Sequence, residues 1–383
     1  MKKALIAANL GGFASFLISD IDILQSMGYE VHYMANCNLL PWEDTRKLLS
    51  QKNVKIINID IDSKNPFKFK NINEYKKLKK ILYKENYNVI HCHTPIIGTL
   101  IRLAAKKLRK NGTRIIYTTH GFPFNECTSR KSWLIYYNLE KMASKWCDAI
   151  ITINKEDYKN ALKMKCNNVF YINGVGVDTK KYREVNIDKN DYRKKIKIPE
   201  KQIMILSIGE LSNRKNHQII IKAISHIKNK ESYTYAICGN GVDGGTGNYL
   251  KELARNKGVN LKLLGFRKDI PQIIKCSDFG ALPSIREGLG LAGIQSLTAG
   301  IPIIASKVQG IKDYVIEGKT GFLCKPYDEN GFANAIQMIS DEKVRKSMSE
   351  ECIKMSKNFD ISQSEEQRKN IYNIILVKSC IEE

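Results

Sequence analysis

The sequence predicts an α/β protein with two domains, each built on a parallel sheet that helices cover on both faces. Its 383 residues exceed the roughly 100–200 residues of one typical domain. Strand-like apolar runs alternate with helical patterns through the first half, and the alternation restarts after a charged stretch. This alternation is typical of parallel sheets buried on both faces.

The first half contains seven strand-like runs with helical patterns between them. The first run follows a basic pair, but no small-residue cleavage pattern comes after it, so we expect a buried strand and not a signal peptide. Clear helical patterns occupy residues 98–110 and 133–146. The predicted strands are residues 3–9, 29–36, 54–60, 89–94, 114–120, 148–154 and 169–173.

Residues 178–200 interrupt this pattern and are interpreted as a linker, because they are charged and poor in large aliphatic side chains. We therefore expect an N-terminal Rossmann-like domain at 1–185, a second at 186–360, and a C-terminal helix at 361–383 that packs back on the first. Two such domains would face each other across a ligand-binding cleft. The second domain's predicted strands are residues 202–209, 233–239, 261–265, 278–284 and 301–306.

Composition narrows the class of protein. No run of about 18 apolar residues occurs, so no membrane span is expected. The ten cysteines are scattered, as expected for reduced thiols in a cytoplasmic protein. The net charge of +23 favours anionic partners, although a Lys-rich coding bias with solvated lysines would also produce it. No nucleic-acid reading module is recognisable, so nucleic acid is not an expected partner.

Glycines mark three strand ends in the second half. Gly209 ends one predicted strand and is followed by Arg214 and Lys215, while Gly239 and Gly241 follow the next strand. Glycine permits close backbone approach to a ligand, and a nearby cation can hold a phosphate. Taken alone each signal is weak, because glycines end many strands.

The third strand end reads EGLGLAGIQ, from Glu287 to Gln295. A helix is predicted over residues 290–299, with Gly300 as its C-terminal stop. The amides of residues 288–291 would then lie at a helix N-terminus, which favours phosphate binding. The alternative is a turn that needs its glycines only for packing.

In the first half, Gly11 and Gly12 separate the first strand from the first helix, and His120 ends the fifth strand. His91 and His93 share one face of their strand, because alternate strand residues point the same way. The three histidines lack a fourth ligand at a standard spacing, so no metal site is expected. His93, nearer the strand end, is a weaker candidate for the acceptor side.

Motifs along nearly the whole chain resemble one family. PSIREGLGLAGIQSLTAGIP at 283–302, with SIGELSNRKNH and LGFRKDIP before it, is similar to the donor site of retaining glycosyltransferases of family 4, which have the GT-B fold. HCHTP, THGF, YYNLEK and TINKEDY in the first half resemble the branch that makes capsular and other surface polysaccharides. The resemblance implies a donor-binding second domain and an acceptor-side first domain.

The resemblance also implies roles for single residues. Glu287 would contact the hydroxyls of the donor sugar, and the amides of Gly288, Leu289, Gly290 and Leu291 would bind its diphosphate. Lys215 would neutralise the diphosphate, with Gly209, Gly239 and Gly241 lining the donor site. In the first domain His120 would point toward the donor sugar, and Gly11 and Gly12 would approach the donor phosphates or the acceptor.

Two positions depart from the family pattern. Gln295 stands where the family usually has an acid that holds the nucleotide ribose; an amide can still hydrogen-bond a diol, but without the strength of a charge. Glu210 stands where many relatives have a phosphate-binding arginine, and Arg214 is the substitute we expect.

The expected activity is retaining transfer of a sugar from a nucleotide-diphosphate donor, UDP-linked by expectation, to a hydroxyl of a lipid-linked glycan. The resemblance implies no metal or other cofactor, and a cytoplasmic protein at the inner face of the membrane. The lysine- and aromatic-rich segment 65–88 is either an ordinary amphipathic helix or a contact with an anionic membrane surface. A nucleotide-sugar epimerase and a non-catalytic nucleotide-sugar-binding partner are the alternatives.

Overall fold

The computed structural model describes residues 1–38, 42–62, 69–126 and 128–376. They form two compact units, Met1–Val175 with the final segment from Ser362, and Gly176–Ile361. The boundary expected between residues 185 and 186 therefore falls inside the second unit.

The first unit contains a seven-stranded sheet in which every neighbouring pair is parallel. The strand order is β3-β2-β1-β4-β5-β6-β7, so the chain winds outward from β1 and returns to place β4 beside it. The carboxyl ends of β1 and β4 thus flank the switch point, where ligands bind in open α/β sheets. The strands are β1 (Lys2–Leu10), β2 (Tyr29–Asn36), β3 (Lys55–Asn58), β4 (Val89–His93), β5 (Arg114–Thr119), β6 (Ala149–Thr152) and β7 (Asn168–Tyr171).

Helices follow the strands of this sheet as the alternating pattern predicts. Strand residues such as Leu5, Ile90 and Ile115 pack with helix residues such as Ile101 and Leu82 in one buried cluster. The helices are α1 (Ile18–Ser26), α2 (Glu43–Gln51), α3 (Phe69–Glu85), α4 (Pro95–Lys110), α5 (Arg130–Ala143) and α6 (Lys155–Ala161). Residues 65–68 of the lysine-rich segment at 65–88 lie outside the described residues.

The second unit repeats the architecture with six parallel strands in the order β10-β9-β8-β11-β12-β13. Its switch point lies between β8 and β11. The strands are β8 (Ile203–Ile208), β9 (Tyr233–Cys238), β10 (Asn260–Gly265), β11 (Phe279–Leu282), β12 (Ile303–Ser306) and β13 (Gly321–Cys324). Its helices are α7 (Thr179–Arg183), α8 (Lys189–Lys195), α9 (Gln218–Ser225), α10 (Gly245–Lys257), α11 (Ile270–Cys276), α12 (Leu291–Thr298), α13 (Glu329–Ile339) and α14 (Glu342–Ser356).

The interpretation of residues 178–200 as a linker is wrong. This segment forms α7 and α8, which are integral to the second unit. Arg193 of α8 is buried and donates to Asp278 at 2.5 Å, and it also donates to the carbonyl oxygen of Cys276 at 2.9 Å. The high charge of the segment misled the interpretation, because one of its cations is used inside the fold.

The C-terminal helix α15 (Ile361–Leu376) packs on the first unit, as predicted, although residues 377–383 lie outside the described part. The Tyr372 hydroxyl donates to Asp20 of α1 at 2.9 Å, and the Ser364 hydroxyl donates to the carbonyl oxygen of Gly174. Of the helices that the structure describes, not one has the length and apolar character needed to cross a bilayer.

Candidate active site

In the second unit, Glu287 lies in the loop that follows β11 and receives three hydrogen bonds. Lys215 donates to its Oε2 at 2.8 Å, the Ser284 hydroxyl at 3.1 Å, and Arg214 at 3.3 Å. Arg214 and Lys215 follow β8, the neighbouring strand in the sheet. The structure therefore brings Glu287, Lys215 and Arg214, which the sequence analysis assigned to donor binding, together at the switch point of the second sheet.

This cluster fixes the charge of Glu287. Burial raises the pKa of a carboxyl group, but the positive charges of Lys215 and Arg214, with hydrogen bonds from Lys215 and Ser284, hold the pKa of Glu287 below its usual value. The side chain is only 14% exposed. Glu287 is thus a fixed anion at neutral pH, suited to accepting hydrogen bonds and unsuited to donating a proton.

Arg214 connects this anion to a second one. One terminal nitrogen of its guanidinium lies 3.3 Å from Glu287, and the other lies 3.1 Å from Glu210. Glu210 also accepts a hydrogen bond from the Ser212 hydroxyl at 3.2 Å. Glu210 therefore points toward Arg214 and neutralises its charge, although Arg214 is the residue expected to replace the phosphate-binding arginine that many relatives have at position 210.

Close backbone packing explains the glycines after β8 and β9. A Cβ atom on Gly239 would lie 1.8 Å from the carbonyl oxygen of Gly209, which no side chain can satisfy. A Cβ atom on Gly209 would lie 3.0 Å from the Lys215 side chain. These glycines bring two strand-end loops together and hold Lys215 against one of them; Gly241, at φ +98°, packs beside Leu211.

The helix predicted over 290–299 is present as α12, which begins at Leu291, with Gly290 in the left-handed conformation at φ +80°. The first amides of any α-helix lack partners within the helix. Leu291 therefore begins a helix N-terminus beside Glu287, with Gly288, Leu289 and Gly290 as the loop that leads to it. Gln295 lies in the second turn of α12 and is half-buried.

Two residues that the sequence analysis did not identify shape this loop. Tyr314 is fully buried, and its hydroxyl donates to the carbonyl oxygen of Gly290 at 3.0 Å. Gly310 approaches so closely that a Cβ atom there would lie 2.1 Å from the carbonyl oxygen of Gly288. Both residues lie beyond β12, and no local pattern relates them to the loop.

In the first unit, Gly11 and Gly12 begin a short 3₁₀ turn directly after β1. A Cβ atom on Gly11 would lie 2.8 Å from the Trp42 ring, so this position excludes any side chain. Phe13, in the same turn, contacts His120 edge-on with ring centroids 4.9 Å apart. The predicted glycine turn and His120 are therefore near neighbours.

The three histidines form one cluster at the ends of β4 and β5. His93 Nδ1 lies 3.1 Å from His120 Nε2, and the rings of His91 and His93 lie 4.1 Å apart. His91 Nδ1 lies 2.6 Å from the Tyr372 hydroxyl, which donates its own proton to Asp20, so His91 is the donor in that bond. Tyr372 of the C-terminal helix thereby holds the imidazole of His91, which lies next to the pair His93–His120.

Burial keeps these imidazoles neutral. It lowers the pKa of His91 to about 3 and that of His120 to about 4, and it lowers the pKa of His93 as well. His120 thus acts as a neutral hydrogen-bonding group at physiological pH. Among residues 1–38, 42–62, 69–126 and 128–376, no group of His, Cys, Asp and Glu could hold a metal ion.

Comparison with known proteins identifies the family. Residues 188–355 match the family model of the group 1 glycosyl transferases, and residues 6–154 match that of the glycosyl transferase 4-like proteins. Over 381 residues the chain is 32% identical to the putative glycosyltransferase EpsD of Bacillus subtilis, covering 97% of this chain and 96% of that protein.

A second relative, 33% identical over 304 residues, is the UDP-Gal:alpha-D-GlcNAc-diphosphoundecaprenol alpha-1,3-galactosyltransferase of Escherichia coli, with 77% of each chain covered. Among solved structures, Anabaena Alr3699/HepE in complex with UDP and glucose matches 98% of this chain and 100% of its own with a TM-score of 0.79 at 19% identity. WaaG, a glycosyltransferase involved in lipopolysaccharide biosynthesis, matches 98% of this chain and 100% of its own with a TM-score of 0.72 at 14% identity. These two structures share the fold, two parallel-sheet Rossmann-like domains of the GT-B type.

The two matched segments fall on the two sheets, and the match to EpsD extends over nearly the full length of both chains. The chain therefore belongs to the group 1, family 4-like glycosyltransferases and is a glycosyltransferase of the GT-B type.

Proposed function

We propose that this enzyme transfers a sugar, with retention of configuration, from a UDP-linked donor to a hydroxyl of a lipid-linked glycan in surface polysaccharide synthesis. The observation that carries the proposal is the cluster of Glu287, Lys215 and Arg214 at the switch point of the second sheet. Two relatives support the choice of substrates: the Escherichia coli protein is named for a UDP-Gal donor and a diphosphoundecaprenol-linked acceptor, and the HepE structure contains UDP and glucose.

In the proposed reaction the bond between the anomeric carbon and the phosphate oxygen breaks, and a bond to the acceptor oxygen forms on the same face. The leaving diphosphate takes the acceptor proton. Negative charge builds on that phosphate, so preorganised cations and helix amides next to it lower the barrier. Lys215, Arg214 and the amides from Gly288 to Leu291 are the groups assigned to it.

Glu287 is assigned to the sugar hydroxyls. It is ionised, largely buried and held by three donors, so its oxygens have fixed positions for accepting hydrogen bonds. No metal ion is required in this proposal, because Lys215 and Arg214 provide the positive charge that a metal ion would otherwise supply at the phosphate. In the second domain, Gly209, Gly239, Gly241 and Gln295 are assigned to donor binding. For the first domain, His120, Gly11 and Gly12, with His93 on the acceptor side, keep the roles that the family resemblance implies.

The first test is a thermal-shift screen with UDP-, GDP- and ADP-linked sugars. A ligand that binds only the folded state at 100 times its Kd adds about 2.7 kcal/mol of stability, so a UDP-linked donor raises the melting temperature and the others do not. Stabilisation by ADP- or GDP-sugars alone would contradict the UDP assignment.

The second test incubates the stabilising donor and a lipid-linked glycan with the wild-type chain and, separately, with the variant Glu287→Ala. Transfer by the wild-type chain and its loss in the variant are expected. Conversion of the donor sugar without an acceptor would instead indicate an epimerase. Binding without turnover over a wide acceptor panel would indicate a non-catalytic partner, and full activity of Glu287→Ala would refute the site assignment.

A further inference from the structure

Two phenylalanine rings lie in the turn that follows β1. The turn, Gly11–Phe16, lies at the switch point of the first sheet, and Phe16 is 45% exposed. The ring centroid of Phe13 lies 5.5 Å from that of Phe16 and 4.9 Å from that of His120. Ligands bind at this edge of an open α/β sheet, so an exposed aromatic ring there points to a ligand that covers it.

The surrounding structure fixes this turn. Ala14 and Leu17 are fully buried, so the residues between them cannot turn into the core without exposing both. The Tyr33 hydroxyl donates to the carbonyl oxygen of Leu10 at 2.8 Å, which holds the start of the turn. Phe16 is thus a preorganised ring at the surface, and preorganisation reduces the entropy that a ligand loses the protein on binding.

The position of His120 relates the two rings to the reaction. The family resemblance implies that His120 points toward the donor sugar, and Phe13 contacts His120 edge-on. Phe16 lies one ring farther along, next to the expected place of the donor sugar. The acceptor sugar must occupy a neighbouring position of this kind, because its hydroxyl attacks the anomeric carbon of the donor.

Asn9, close to the end of β1, provides a polar group at the same edge of the sheet. Its Oδ1 accepts from the backbone amide of Ile97 at 3.3 Å. Within the part of the chain that the structure describes, its side-chain NH2 group forms no hydrogen bond. That group is therefore available to donate to a ligand oxygen.

An aromatic ring with a hydrogen-bond donor beside it fits a sugar better than the other parts of a lipid-linked acceptor. A sugar ring has apolar C–H groups on its faces, which stack on aromatic rings, and hydroxyls at its rim, which need polar partners. A diphosphate would find no charged side chain among residues 11–16. A polyprenyl chain would bury the donor of Asn9 without a partner, which costs free energy.

We propose that Phe16, supported by Phe13, stacks on a sugar of the acceptor glycan, and that Asn9 donates to one of its hydroxyls. The inference deepens the proposed function and rests on it for the glycan acceptor. It assigns recognition of an acceptor sugar, and not of the lipid alone, to the first unit. Phe16 thereby determines acceptor specificity, while Glu287 and Lys215 act on the donor.

The test measures the binding of acceptor probes by isothermal titration calorimetry. The probes are glucosyl, galactosyl and N-acetylglucosaminyl diphosphates that carry a short alkyl chain, and the reference is the same alkyl diphosphate without a sugar. At least one sugar-bearing probe should bind the wild type more tightly than the reference does. Phe16→Leu stays apolar but loses the aromatic face, so it should reduce this advantage about 2- to 12-fold and leave reference binding unchanged. Phe16→Trp should retain the advantage.

The matched control is Tyr83→Leu, which removes an aromatic ring of similar exposure, 42%, from α3 and should bind every probe as the wild type does. Equal affinity of the wild type for the probes with and without a sugar would overturn the proposal, as would an undiminished advantage in Phe16→Leu. Thermal unfolding checks that each variant folds.

Steady-state transfer and UDP titration separate this inference from the proposed function. In Phe16→Leu the acceptor KM should rise about 2- to 12-fold, while the affinity for UDP stays within about twofold of the wild type. Loss of UDP binding in Phe16→Leu would instead assign the ring to the donor and overturn the proposal. Absence of UDP binding by the wild-type chain, with sugar-dependent probe binding intact, would contradict the proposed function and leave the stacking site standing.

Discussion

Glu287 offers the sharpest separation between a structural and a catalytic role. It is the shared acceptor of Lys215, Arg214 and Ser284. The change Glu287→Gln keeps the shape and one carbonyl-type acceptor while it removes the negative charge. Its effects on folding, on UDP binding and on sugar transfer differ in size and in sign, so three measurements on one variant discriminate between the roles.

The effect on folding should be modest. Removing one partner of a fully buried ion pair costs about 3–5 kcal/mol, because the other charge is left uncompensated. Here Lys215 is 12% exposed and keeps an oxygen to donate to, while Arg214 is 37% exposed and keeps Glu210 as its partner. We therefore expect a loss of about 1–2 kcal/mol in the free energy of unfolding, below the range for a fully buried pair.

UDP binding and transfer should move in different directions. The cations next to the diphosphate lose a competing carboxylate, so the affinity for UDP should hold or increase. The donor sugar loses a charge-assisted hydrogen bond, and such bonds contribute about 1.5–3 kcal/mol. If that bond is made in the transition state, kcat should fall by roughly 10- to 150-fold with the UDP affinity retained.

The assay combines urea unfolding, UDP titration and steady-state transfer with the donor that the thermal-shift screen identifies. Glu210→Gln is the matched control: it removes the other carboxylate of Arg214, but that side chain is 56% exposed and a surface ion pair contributes only about 0–1 kcal/mol. A kcat for Glu287→Gln within twofold of the wild type, or no larger a loss than in Glu210→Gln, would refute the assignment of Glu287 to the donor sugar.

Three further predictions follow from the geometry. Gly239→Ala should abolish UDP-induced stabilisation and lower the melting temperature, because its Cβ would lie 1.8 Å from a carbonyl oxygen; Gly245→Ala, whose Cβ meets no atom within 4 Å, should do neither. The free energy of unfolding, measured with urea, should fall between pH 7.5 and pH 5 by about 2 kcal/mol for each of His91 and His120. The reason is that these imidazoles take up protons near pH 6.5 in the unfolded chain but only near pH 3 and 4 in the folded one. An equal free energy of unfolding at both pH values would contradict their burial as neutral groups. Gln295→Glu should strengthen UDP binding several-fold if the side chain contacts the ribose, and an unchanged titration would exclude that contact.

Local sequence pattern predicted most of the fold because strand and helix periodicities are local properties. The strand predicted at 29–36 has those bounds in the structure. The strands predicted at 114–120 and 202–209 are β5 and β8, with no bound shifted by more than one residue. The strand β13 was missed because Gly321–Cys324 begins on a glycine directly after the turn at Gly318, so this stretch has the pattern of a loop. The helix α8 was missed because its sequence is highly charged and gives no sign that one of its arginines, Arg193, is buried.

The site was predictable only where one segment supplies it. The sequence predicted a helix start after Glu287 and cations after Gly209, and the structure brings them within hydrogen-bonding distance. It could not indicate that Tyr314 holds the Gly290 carbonyl, since that bond joins residues 24 positions apart through the packing of the second unit. Nor could a pattern of single residues show that Glu210 and Glu287 share one arginine.

This shared arginine changes how the departure at Glu210 is understood. From the sequence, an acid beside a diphosphate site is a repulsive charge. In the structure, Glu210 and Glu287 hold Arg214 from two sides, and Glu287 holds Lys215 as well, so the cations are ordered before any ligand arrives. Ordering a long side chain costs conformational entropy on binding, and prior ordering removes part of that cost. Because the same carboxylates compete with phosphate for the cations, inorganic anions are expected to bind only weakly to Lys215 and Arg214. Under the proposed assignment, a ligand that places sugar hydroxyls on Glu287 and a diphosphate on the cations would satisfy both charges, so the arrangement would favour a nucleotide sugar over its separate parts.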